Sequence, residues 1–336
     1  MAFEIHRGTN ISHWLSQSQA RGEERRAWFT RDDVERIASW GFDHIRLPID
    51  EEQMWSENGT RQAEAFDLLT SAVQWCDDAG IRIVVDLHIL RSHYFNDADV
   101  PALYTDPAER EKFASLWIDL SDVLGSTSTD LVAYELLNEA VAPSPEKWNE
   151  TWRAPFDAIR SREPGRTIVL GSNDFNSHQT YPDLAVPDDD HLILTFHYYK
   201  PMFITHYTAK WWRDGGSYAG PIRYPGRPIP DSQTIAIQRL EDEGLEEENR
   251  RFDRSVMLAD MKIPRDIASR HGKPLYCGEF GCYEQTPGDI REAWYRDIAA
   301  CFRELGIDWA NWDYKGSFGL VDGEGNETGV RAWLMT

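Results

Sequence analysis

The feature that most restricts what this chain can fold into is an alternation, sustained from end to end, of short β-branched runs with stretches of helical spacing. Strands joined by helical crossovers run parallel, because an antiparallel pair needs only a tight turn between its members. Eight such runs are present: Arg7 to Ser12, His44 to Pro48, Arg82 to His88, Leu131 to Glu139, Thr167 to Ser172, Leu192 to Tyr199, Pro274 to Gly281 and Asp308 to Lys315. Between them the spacing predicts helices over Arg31 to Trp40 and Glu64 to Ala79, stopped by Gly41 and Gly80. Further helices are expected over Pro107 to Leu124, Pro145 to Arg162, Arg251 to Arg270 and Asp289 to Leu305, whereas the Pro/Asp-rich interval Tyr181 to Asp190 is a poor helix. Eight parallel strands and their crossovers imply an α/β chain closed into a (β/α)8 TIM barrel.

A plain barrel takes about 250 residues, and this chain has 336. No linker, composition shift or repeat divides it, so one domain over residues 1–336 is expected, with the surplus in loops. The clearest insertion, about 200–250, follows the sixth strand; it opens with Tyr207, Trp211, Trp212, Tyr218 and Tyr224 and closes with the acidic run Glu241 to Glu248, which reads as a solvated helix face.

Charge narrows the partners. A formal charge of -22 repels nucleic-acid backbones and anionic membrane surfaces, so neither is expected as a partner. No apolar run approaches the roughly 20 residues of a membrane-spanning helix. Cys76, Cys277, Cys282 and Cys301 lack metal or redox spacing and read as free thiols. The start, MAFEIHRGTN, has no signal-peptide features, which suggests a cytosolic chain or one whose leader has been removed. Oligomeric state is not legible.

Active sites of such barrels are assembled at the C-terminal ends of several strands. Reading the strand ends gives Asn10 and His13, Arg46, Asp86 and His88, Asn138 and Glu139, His197 and Tyr199, Glu279, and Asn311, Trp312 and Asp313. Any one of these alone is more often structural than functional. Together they bring two carboxylic acids, Glu139 and Glu279, across one mouth, as acid/base cleavage of a glycosidic bond requires. Strand alternation predicts that Glu279 shares its face with Cys277 and Leu275, and His197 with Thr195 and Tyr199. Zinc chemistry would need clustered histidines; the nearest group, Asp86, His88 and His93, fits poorly, so no metal is expected. No glycine-rich phosphate loop follows a strand, and no cofactor is called for.

Over nearly its whole length the sequence resembles glycoside hydrolase family 5, the cellulase-like family of the retaining (β/α)8 clan. The resemblance rests on LNE at Leu137-Asn138-Glu139 and GEFG at Gly278 to Gly281, supported by IRLP at Ile45 to Pro48, DLH at Asp86 to His88, HYY at His197 to Tyr199 and the Trp312 strand. It implies that Glu139 is the acid/base and Glu279 the nucleophile, with Arg46 and Tyr199 bonded to Glu279. It further implies that Asn138 holds the sugar 2-hydroxyl, His197 orients Glu139, His88 contacts sugar hydroxyls and Trp312 floors the ring whose bond is cut. Arg46 beside Glu279 is expected to lower that carboxyl's pKa and leave Glu139 as the protonated partner. Retention of configuration is the expected outcome.

Aromatic residues of the loops are candidates for outer sugar subsites: Trp14, Trp55, Tyr94, Tyr104, Trp148, Tyr207, Trp211 and Trp212, although each singly is more often packing than platform. Trp312 and one of Trp211 and Trp212 are the ones selected as platforms. The stretch ANWDYKGSFGL, with Lys315, resembles glucan-cleaving members, which implies a β-1,4-glucan or its oligosaccharides as substrate. A long insertion can wall a cleft and favour short chains or chain ends. The competing readings are a β-mannan-specific or exo-acting hydrolase, a transglycosylase using the same residues, and a barrel that binds carbohydrate without cleaving it.

Overall fold

The computed structural model of the protein describes residues 3–97, 99–212 and 215–335. Eight parallel strands close in sequence order: β1 (Arg7–Asn10), β2 (His44–Asp50), β3 (Arg82–Ile89), β4 (Val132–Glu135), β5 (Ile168–Gly171), β6 (Leu192–Tyr198), β7 (Leu275–Phe280) and β8 (Asp308–Asn311), with β8 pairing back to β1. The long crossover helices turn apolar stripes to the barrel, and two show how the sequence sets their ends. The helix Ala63–Ala79 buries Phe66, Leu69, Val73 and Cys76, and ends at Gly80 with φ 69°, a left-handed position that glycine adopts at little cost. The helix Pro107–Leu124 starts on Pro107, with the Asp106 carboxylate accepting from the Ala108 N–H. Over 145–162 the expected single helix is two, Pro145–Thr151 and Arg153–Arg162. The Tyr181 to Asp190 interval holds only the end of a 3-10 turn, His178–Asp183.

The interior has two levels. Low in the barrel, Val84, Ala133, Val169, Ile193, Tyr276 and Ala310 form a closed apolar layer, plugged from below by Phe3 and Ile5. Outward residues of the same strands belong to the much larger core between strands and helices. In β7 the alternation breaks. Phe196 pairs with Cys277 but His197 pairs with Glu279, so Gly278 is an extra residue, a bulge. Leu275 and Cys277 therefore face the outer core while Glu279 turns inward, which corrects the face assigned from alternation. A Cβ on Gly278 would sit 2.7 Å from the Thr195 hydroxyl and 3.3 Å from His197 Nε2, so the bulge needs glycine. β3 has a similar irregularity at His88, between partners Leu87 and Ile89.

Two expected strands are shorter. β4 stops at Glu135, and Glu139 lies four residues beyond, with φ 40°. β8 stops at Asn311, leaving Trp312 and Lys315 on the following loop. The insertion after β6 carries the helix Thr234–Glu243 and the 3-10 turn Glu246–Asn249, so Gly244 divides the acidic run. It has a small core of its own, Phe203, Ile229 and Leu240 with Trp212 and Tyr218 against them. It is tied down by the Tyr224 hydroxyl donating to Asp297 (2.8 Å) and by a backbone bridge between Gly226 and Phe252.

Candidate active site

The mouth of the barrel is organised by one cation. Arg46 on β2 is fully buried, and its guanidinium spends its donors on every side: Nε and Nη2 on the two oxygens of Glu135 (2.7 and 2.9 Å), Nη1 on Glu279 (2.8 Å) and Asn10 (2.8 Å), and Nη2 also on Asn138 (2.9 Å), while Asp86 is ion-paired with it at 3.0 Å. A planar fork with five donors can serve such a ring; an ammonium could not. Asn10 continues the network, its amide donating to the carbonyls of Gly278 and Asn311 and so tying β1 to the β7 bulge and to β8.

Glu279 receives a second bond from the Tyr199 hydroxyl (2.9 Å), and His197 Nδ1 meets Glu139 at 2.9 Å. A carboxylate oxygen of Glu139, one of Glu279 and a ring nitrogen of His197 all lie within 4.8 Å of one another. So close an approach of two carboxylate oxygens is compatible with the roughly 5–5.5 Å between carboxyl groups of retaining glycosidases. Asn138 offers its carbonyl oxygen to Arg46, so its amide points elsewhere; that Nδ2 is buried and has no hydrogen-bond partner among the described residues, a donor available to a ligand hydroxyl. Trp312 is half-buried and stacks on the ring of His88 (centroids 5.6 Å, planes 11° apart), whose Nδ1 is fixed by Asp86 at 2.7 Å.

Burial sets the protonation. It raises the carboxyls of both Glu139 and Glu279; at Glu279 Arg46 opposes the rise, whereas at Glu139 the charge of Glu279 adds to it and carries that group well above the ordinary range. Arg46 does pull the Glu279 carboxyl downward as expected, but burial outweighs it, so the group ends raised rather than lowered. The order survives, with Glu139 the more readily protonated. Burial also pushes Asp86 up to about 7 and His88 down to about 4, and holds His197 well below its usual value, so both rings are neutral near pH 7.

Arg46, His88, Asn138, Glu139, His197, Tyr199, Glu279 and Trp312 thus converge from six strands. The other sequence candidates divide. Trp14, Trp55, Tyr104 and Trp148 are 0–2 % exposed and belong to the core, so they are no platforms. Trp212 packs on Phe203 (4.8 Å), while Trp211 is 50 % exposed and meets Tyr283 (4.9 Å) on the rim. From there Tyr283, Phe318 and His206 continue to Tyr199 as touching rings. Lys315 turns to Trp28, donating to its carbonyl (3.2 Å) and lying over its ring. The nearest histidine group named for a metal, Asp86, His88 and His93, is not the closest donor set; among the described residues that is Glu139, His197 and Glu279. Glu135 was not singled out from sequence, though it lies two residues after inward-facing Ala133 on β4 and alternation alone marks it.

The cellulase model, glycosyl hydrolase family 5, matches residues 7–317. The chain belongs to glycosyl hydrolase family 5. This family 5 chain is 30% identical to endoglucanase C of Acetivibrio thermocellus, over 92% of this chain and 90% of that one. It is 29% identical to cellodextrinase A of Ruminococcus flavefaciens, over 90% and 83%. Its fold matches solved structures of Thermotoga maritima Cel5A in complex with cellobiose and with mannotriose, each with a TM-score of 0.78 and 22% identity, over 98% of this chain and 97% of the other. The family 5 barrel is a glycosidase fold, and the enzyme is a retaining glycosidase.

Proposed function

We propose that this enzyme hydrolyses β-1,4-glucan and its soluble oligosaccharides, with Glu279 as nucleophile and Glu139 as acid/base. The observation that carries the reading is the pair itself: two acids within 4.8 Å, one bonded to a guanidinium and a phenol, the other to a neutral histidine. In the first step Glu279 attacks the anomeric carbon while Glu139 gives its proton to the departing glycosidic oxygen, leaving a glycosyl ester on Glu279 and a free alcohol. In the second, Glu139, now a carboxylate, takes a proton from water as that water attacks the same carbon, and Glu279 is released. Both displacements invert, so the product keeps the configuration of the substrate.

Supporting roles follow from the free valences. Asn138 Nδ2 suits the 2-hydroxyl, where a bond that tightens in the transition state accelerates the reaction. Trp312, backed by His88, suits the apolar face of the ring being cleaved. Glucan rather than mannan is favoured by the endoglucanase and cellodextrinase relatives. Trp211 on the insertion extends the cleft outward and suits one further sugar ring, which favours short chains.

The test is a panel of cello-, manno- and mixed-linkage oligosaccharides with wild type, Glu279→Gln and Glu139→Gln, following product anomers by NMR. Cello-oligosaccharide cleavage with retention, abolished in Glu279→Gln, is the expected result. Selective cleavage of manno-oligosaccharides would overturn the substrate, and binding without cleavage the catalytic reading. For Trp211→Ala, KM for cello-oligosaccharides rises about 2–10-fold with kcat nearly unchanged, the worth of one aromatic contact.

A further inference from the structure

The loop after β5 was not marked by any motif, yet it reaches the heart of the site. Three successive residues, Asp174, Phe175 and Asn176, adopt positive φ (55°, 60° and 54°), a run that only surrounding contacts can hold. The contacts go to the segment that carries Glu139. The Phe175 N–H donates to the Ala140 carbonyl (3.2 Å), and the Asn173 side chain exchanges two hydrogen bonds with the backbone of Ala142 (2.8 and 2.9 Å). The loop therefore takes its position from the residues immediately following Glu139.

Its last left-handed residue delivers one amide to one nitrogen. Asn176 is fully buried, and its Nδ2 lies 3.3 Å from His197 Nε2. Room for it exists because residue 171 is glycine: a Cβ there would collide with the Asn176 amide. An amide nitrogen only donates, so Nε2 must accept. In a neutral ring the proton is then on Nδ1, which donates to Glu139 Oε1 at 2.9 Å. This leaves Glu139 Oε2 as the oxygen that carries the catalytic proton.

We propose that Asn176 is a positioning residue for the acid/base, acting through His197: by donating to Nε2 it fixes the ring's tautomer and thereby which oxygen of Glu139 holds the transferable proton. The proposal rests on the acid/base reading of Glu139. Around His197 the ionisable groups include Glu139 beyond β4, Glu279 on β7, Arg46 on β2, His88 on β3 and Tyr199 beyond β6; none of them is bonded to Nε2. A ring free to choose would populate the opposite tautomer, whose Nδ1 lone pair draws the Glu139 proton to Oε1 and away from the leaving group.

Two variants test this without disturbing the backbone, since Asp and Gly both tolerate positive φ. Asn176→Asp keeps the shape and reverses the polarity of the bond; Asn176→Gly deletes it. The readout is kcat/KM, which reports the first displacement, across aryl β-cellobiosides of graded leaving-group acidity, with the pH profile. For Asn176→Asp, kcat/KM on poor leaving groups falls at least ~30-fold, while the dinitrophenyl glycoside, which needs no protonation, stays within ~3-fold. The new carboxylate holds the ring proton on Nε2, the Nδ1 lone pair then retains the Glu139 proton, and the alkaline limb moves to higher pH. Asn176→Gly shows the same leaving-group dependence, weaker. Equal losses on all leaving groups, or no loss, with an unmoved pH profile in folded protein, overturn the proposal. Glu139→Gln in the same series separates the two levels: if it lacks a steep leaving-group dependence, the acid/base reading fails first and this inference with it.

Discussion

The same strands build two interiors that could hardly differ more. Low in the barrel, Val84, Ala133 and Tyr276 belong to an apolar layer; two residues further along β3 and β4, and three along β7, the inward positions become Asp86, Glu135 and Glu279 around Arg46. The lower layer is what burial favours. The upper one crowds three carboxyls onto one guanidinium, and the price is seen in the raised pKa of each acid. Stability resides below and chemistry above, which is the division expected when an active site must hold charges where solvent would otherwise screen them.

Replacing the one cation tests that division most severely. Arg46→Met leaves Asp86, Glu135 and Glu279 buried without a counter-charge, and is expected to cost about 3–5 kcal/mol in urea unfolding while abolishing turnover. Glu279→Gln separates the two properties: activity falls by a factor on the order of 10⁴ or more, yet the melting temperature holds or rises, because one of the crowded charges is gone. A lower melting temperature would mean that the Arg46–Glu279 pair contributes to the fold.

The pH profile sharpens the upper half of the comparison. The proposed roles require Glu279 ionised and Glu139 protonated. Glu279 is raised by burial, so activity is lost as pH falls through its raised value; Glu139 is raised further, so activity is lost as pH rises through a value well above the ordinary glutamate range of about 4.3. Both limbs of kcat/KM are therefore expected on the alkaline side of that range. With Glu139→Gln and an activated aryl glycoside, the alkaline limb disappears; a limb that persists would belong to another group. The smallest effect belongs to the lower layer, where Ile193→Val costs about 0.5–1.5 kcal/mol and leaves kcat/KM unchanged.

Most of the fold and the central residues of the site are legible in the sequence because they are periodic or local. The alternation of strand and helix, the stops at Gly41 and Gly80, and the tripeptide ending in Glu139 are each contained in a few neighbouring residues. Where the reading fails, a single residue breaks a period. Gly278 shifts the register of β7 by one, so Glu279 turns inward and Cys277 outward, and strict alternation puts both on one face. The loop tryptophans fail for another reason: Trp14 and Trp148 have the same composition and spacing as a sugar platform, and only burial under neighbouring helices tells them apart from Trp211.

By itself the sequence determined the barrel, through its hydrophobic period, and the reaction class, through motifs that resemble a known family; it also proposed Glu139 and Glu279 as the two acids. Tertiary structure alone decided how one guanidinium is shared among three carboxyls, why Glu279 keeps a raised rather than a lowered pKa, and that Asn176, from an unmarked loop, meets His197. Those are properties of groups far apart in the chain and a few ångströms apart in space, where burial strengthens every charge and every hydrogen bond and no local pattern records the approach.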